Sequence, residues 1–106
     1  MPKYMFKASL TAEGVAGIIA EGGSSRRMAL TQAIENLGGT VEAFYFAFGD
    51  EDAIVVADLP GNEAAAAFAL EVGSSGRVAI STTVLITPEE VDRAREKKSG
   101  WRAPGA

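Results

Sequence analysis

Neither cysteine nor histidine occurs anywhere in the 106 residues. Their absence excludes disulfides, thiolate nucleophiles, zinc fingers, histidine general bases and Ser-His-Asp triads together. No apolar run approaches the roughly 20 residues of a membrane helix. The opening stretch MPKYMFKASL also lacks the long apolar centre and small-residue cleavage pattern of a secretory leader. The cytoplasm is therefore the expected compartment, and no membrane partner is expected. Positive charge is in short supply: 10 Lys and Arg stand against 14 Asp and Glu, for a net charge of −4. A surface of that sign repels phosphate backbones, so nucleic acid is not an expected partner either. The remaining composition, 47% hydrophobic and 23% charged, suits one domain with one core.

The hydrophobic pattern divides this domain into strands and helices. Residues 3–10, KYMFKASL, alternate as a strand, with Tyr4, Phe6, Ala8 and Leu10 on one side and Lys3, Met5, Lys7 and Ser9 on the other. Thr11 is a plausible N-cap for a helix carrying Val15, Ile18 and Ile19, which Gly22-Gly23 interrupts. Ser24 or Ser25 caps a second helical stretch in which Met28, Leu30, Ala33, Ile34 and Leu37 recur at helical spacing. Gly38-Gly39 closes it, because glycine takes the left-handed conformation without strain. Residues 40–48 and 52–59 are then two strands around a short polar turn, an antiparallel hairpin. Asn62 caps an alanine-rich helix ending at Gly73, and residues 77–86 form the fourth strand. Thr87-Pro88-Glu89-Glu90 supplies N-cap, first-turn proline and capping box for a last helix. The predicted architecture is α+β: a ferredoxin-like βαββαβ domain with a four-stranded antiparallel sheet, helices on one face and an extra C-terminal helix. It occupies residues 1–98, with 99–106 as a flexible tail.

The second and third strands are apolar on both sides. Phe44, Phe46 and Phe48 oppose Val41, Ala43, Tyr45 and Ala47, while Ile54 and Val56 oppose Ala53, Val55 and Ala57. One face of such a sheet carries no helix of its own, so a subunit, an apolar ligand or the extra helix folded back must cover it. Soluble oligomers most often close as symmetric dimers, so a homodimer or higher oligomer through the sheet is expected. The small helix residues Ala29, Ala33, Ala64 to Ala67 and Ala69 leave room for phenylalanines, which places Phe44, Phe46 and Phe48 toward the helices and Tyr45 toward a partner.

Three stretches carry candidate chemistry. Asp50-Glu51-Asp52 lacks the spread-out ligand spacing of a calcium loop and reads as a hairpin turn, so no metal is expected. In EGGSSRR, Ser24, Ser25, Arg26 and Arg27 are candidate anion ligands; a serine-capped helix start with a solvated basic turn is the competing reading. Tyr45, Lys7, Ser81 and Thr82 are the polar groups that could orient a small hydrophobic ligand at the sheet. No cofactor is called for.

The succession of these motifs resembles the GYD-domain family of small bacterial and archaeal proteins, over roughly residues 2–92. Tyr4, Thr11 and Gly14 match its aromatic strand and Thr-x-x-Gly helix start. Phe44 to Phe46, Gly49, Asp52, Ile54 to Val56 and Pro60 match its central strand pair. Ala64 to Ala67, Gly73, Ser74 and Gly76 match its alanine-rich helix and closing turn, and Val78, Thr82 and Thr87 to Glu90 its last strand and helix start. The family's naming tyrosine is Glu51 here. The resemblance implies a ferredoxin-like dimer of α-β-barrel type rather than a particular reaction. With histidine and cysteine missing, the expected function is a non-catalytic binding or assembly module built on the apolar sheet face. The alternative is a cofactor-independent monooxygenase or cyclase, with Tyr45 and Lys7 facing a substrate cavity between sheet and helices, as barrel-type relatives allow.

Overall fold

Alternation along KYMFKASL makes Lys3–Leu10 the strand β1, and everything else is arranged around it. The structure, a computed structural model, describes residues 1–106. After β1 come α1 (Ala12–Glu21), α2 (Gly23–Asn36), β2 (Thr40–Phe46), β3 (Ala53–Asp58), α3 (Asn62–Ser74), β4 (Val78–Leu85) and α4 (Pro88–Ala94). The strands form one antiparallel sheet in the order β2-β3-β1-β4, the α+β ferredoxin-like arrangement. Tyr4 and Phe6 of β1, Val55 and Ala57 of β3, Ile34 of α2, Ala65 and Phe68 of α3, and Leu59 form the buried core. Phe6 and Phe68 meet edge-to-face, with ring centroids 4.9 Å apart.

Helix boundaries follow local chemistry. The Thr11 side chain accepts from the Gly14 amide at 3.2 Å and caps α1. Thr87 and Glu90 complete a reciprocal capping box on α4, with Pro88 inside it. Gly38 closes α2 at φ +85°, a conformation that side-chain-bearing residues adopt at a cost.

Several expectations are corrected. Gly22, not a serine, is the N-cap of α2, because the helix already begins at Gly23 and draws Ser24 and Ser25 into its first turn. Gly61 caps α3, and Asn62 is the first helical residue, its side-chain amide oxygen accepting from the Tyr4 hydroxyl at 2.6 Å rather than from a first-turn amide. Gly73 does not end α3; its backbone stays helical and the helix runs to Ser74. Phe44 and Phe46 face the helices as expected, but β2 stops at Phe46 and Phe48 is fully exposed. A register shift between Val41 and Ala43 then turns Val41 to the core side, opposite Ala57 and away from Tyr45.

Candidate functional site

The face of the sheet without helices is one candidate surface. Strand register puts Met5, Lys7 and Ser9 of β1, Ile54 and Val56 of β3, Ala43 and Tyr45 of β2, and Ala79, Ser81, Thr83 and Leu85 of β4 on it. Its middle is apolar and charges sit toward its ends. At one end Lys3 donates to Glu42 at 2.5 Å and to Asp58 at 3.0 Å. These two carboxylates, Glu42 foremost, hold the Lys3 ammonium above its usual value. Toward the other end Lys7 lies 4.0 Å from Glu51. Tyr45 stands out of the face, 71% exposed. The C-terminal helix does not fold back over it: every residue from Ile86 to Ala106 is exposed.

The second candidate lies on the opposite side, between sheet and helices. Its floor is a pair of small residues, Ala8 on β1 directly opposite Ala53 on β3. Phe6, Phe44, Phe46 and Phe68 stand around this gap and Ile18 of α1 closes over it, leaving a cavity of about 90 Å³. Of its 14 lining residues, 13 are hydrophobic; the other is Arg26. The cavity borders an outer depression of about 410 Å³, which shares Leu10, Ile18 and Phe46 with it and adds Val15, Ile19 and Phe48. Helix α1, which seats no buried residue, is a loosely held roof.

The candidate residues read from sequence are thus divided. Lys7 and Ser81 are cross-strand neighbours on the open face. Tyr45 shares that face but lies two strands away from Lys7, and none of the three lines the cavity. Thr82, paired with Phe6, faces the helix side, in a groove with Tyr4 and Leu70. Of the anion candidates, only Ser24 and Arg27 are brought together. Arg26 reaches the cavity while one of its N–H groups approaches Glu21 at 3.4 Å. Ser24 and Arg27 border a shallow depression with Phe44 and Phe46, and Ser25 is exposed on the helix. The acids of the hairpin turn point apart. The Asp52 carboxylate accepts the Leu10 amide at 2.7 Å, tying the turn to the end of β1, and Glu51 leans toward Lys7. The sequence allowed a cavity between sheet and helices but assigned it to Tyr45 and Lys7; what marks the real lining is Ala8 and Ala53, two alanines placed directly opposite each other on the helix-facing side of adjacent strands.

The same architecture occurs in the crystal structure of MtbAldR, at 20% identity and a TM-score of 0.61, covering 81% of this chain and 53% of that one. B. subtilis LrpC matches at 15% identity and a TM-score of 0.53, covering 81% and 51%. The chain therefore spans about half the length of these structures, and at such identities the likeness is one of fold. No curated protein matches it. The GYD domain model matches residues 4–94. The chain belongs to the GYD-domain family.

Two GYD-family motifs acquire physical reasons in this chain. In Thr11-x-x-Gly14, the Thr11 amide and hydroxyl both donate to the Arg77 carbonyl oxygen, at 2.9 and 3.2 Å. A Cβ on Gly14 would lie 2.5 Å from that same oxygen, so glycine is what lets α1 approach the start of β4. In Gly49-Asp50-Glu51-Asp52, the last carboxylate anchors the turn, while Glu51, at the naming-tyrosine position, is left beside Lys7.

Proposed function

We propose that this GYD protein is a self-associating assembly or binding module that uses the open sheet face as its contact surface. One observation carries the reading: an apolar field of Met5, Ile54, Val56, Ala43 and Tyr45, flanked by ion pairs, is left bare by the protein's own C-terminal helix. Apolar surface on this scale gains free energy when a second surface excludes water from it. A second copy fits best, since a two-fold axis sets each apolar field against its equal. Tyr45 is the anchor of the contact, a large rigid ring with a hydroxyl that can reach a polar partner at the rim.

Sedimentation velocity at micromolar concentration tests the reading. The expected species is a dimer of the 11.0 kDa chain. Tyr45→Asp should convert it to a folded monomer, because an unpaired carboxylate buried in such a contact is costly. A wild-type protein that stays monomeric throughout the micromolar range overturns the proposal.

A further inference from the structure

We propose that the cavity between sheet and helices is a binding site for a small organic acid, an apolar body ending in one carboxylate, with Arg26 as the group that recognises the carboxylate. The cavity is not on the open face, so the inference stands or falls independently of self-association.

The lining gives the ligand its chemistry. Thirteen apolar residues offer no donor or acceptor to a polar body, so the buried part of the ligand must be hydrocarbon. The inner space of about 90 Å³ suits a short alkyl chain, and the adjoining depression has room for the remainder. The only charged residue lining the inner cavity is Arg26, whose guanidinium carries five N–H donors in a planar fork matched to a carboxylate, while Asp52, on the edge of the outer depression, has its carboxylate occupied by the Leu10 amide. One of these is directed at Glu21, across an exposed and lengthy 3.4 Å contact, and the others are left for a ligand. An exposed pair of this kind is weak, so a carboxylate arriving from the cavity competes with Glu21 on favourable terms. The roof fits the same role. Helix α1 buries none of its residues and leaves Val15 and Ile19 exposed beside Phe48, an apolar rim without an internal partner.

The test is a titration of the full chain followed by amide NMR, with octanoate as probe and octan-1-ol as its uncharged counterpart. Octanoate should give saturable shifts centred on Ala8, Ile18, Phe44, Phe46 and Ala53. Octan-1-ol should produce the same pattern with about tenfold weaker affinity, the worth of a modest charge-assisted hydrogen bond. Arg26→Met keeps the aliphatic stem and should reduce octanoate to the affinity of octan-1-ol while leaving octan-1-ol unchanged. Glu21→Gln, which removes the competing carboxylate, should tighten octanoate. Ala8→Leu fills the floor and should abolish both ligands; Ala53→Val makes the same test should the larger substitution fail to fold. Equal affinity for the two probes, no effect of Arg26→Met, or no saturable shift at the cavity residues of the folded wild-type chain would each overturn the proposal.

Discussion

Phe6 and Phe46 show how far a residue's consequence depends on position within one face. Both point toward the helices, yet Phe6 is buried at the centre of the sheet against Phe68, while Phe46 lies at the end of β2 and is 38% exposed. Phe6→Ala should cost about 3–5 kcal/mol of folding stability, because it deletes a full ring from close-packed surroundings. Phe46→Ala should cost only about 1–2 kcal/mol, in proportion to the smaller area it removes from water. Urea denaturation of the two variants checks the order. Lys3 supplies a pH prediction. Its ammonium is held above the usual lysine value by Glu42 and Asp58, so the folded state binds this proton more tightly than the unfolded chain does. The resulting stability is fully present at neutral pH, below the unfolded lysine value near 10.5, and is lost as pH rises through the higher folded value. Lys3→Met should therefore flatten the alkaline fall in melting temperature. The effect should be small and sensitive to salt, since these side chains are substantially in contact with solvent.

At the scale of elements, Gly14 and Gly17 separate two reasons for glycine within α1. Gly14→Ala should destabilise by about 1–3 kcal/mol, because the new methyl meets the Arg77 carbonyl and pushes α1 off the sheet. Gly17 has nothing within 4 Å of where its Cβ would be, so Gly17→Ala should instead stabilise by about 0.4–1 kcal/mol through helix propensity and lost unfolded-state entropy. Opposite shifts in melting temperature are the expected result. These elements were largely legible in the sequence: alternation marked β1, a complete capping box marked α4, and the Gly22-Gly23 break divided α1 from α2. What was hidden depended on partners far along the chain. The turn of Val41 toward the core depends on how β2 registers against β3, and the Asn62 side chain, expected to cap α3, instead accepts from Tyr4, 58 residues away. The lining of the cavity was hidden for the same reason. Ala8 and Ala53 are unremarkable in sequence and leave a gap only once the sheet makes them neighbours, with Arg26 brought to its wall by a different element.

At the scale of the whole molecule, the domain body and the C-terminal arm part company. The Cα radius of gyration is 16.9 Å, with extents of 56 × 32 × 22 Å, whereas a compact chain of this length has a radius of about 13 Å. The segment from Ile86 onward, exposed along its whole length, lies outside the packed body. It contributes no residue to the core, and its apolar side chains Ile86, Val91 and Trp101 are all in solvent. Its loss should therefore leave folding intact, whereas the open face, carried by the four strands, remains in a chain shortened to residues 1–86. That separation allows a shape measurement to test the proposed assembly without the arm's contribution. A compact body of that length has a radius of gyration of about 12 Å, and two such bodies packed face to face about 16 Å. Small-angle scattering of the shortened chain at dimer-forming concentration should give the larger value. The same chain carrying Tyr45→Asp should give the smaller one, with its circular dichroism unchanged. If both proteins scatter as 12 Å bodies at every concentration, the bare sheet face is not a contact surface on its own; if both scatter as 16 Å bodies, Tyr45 is not its anchor.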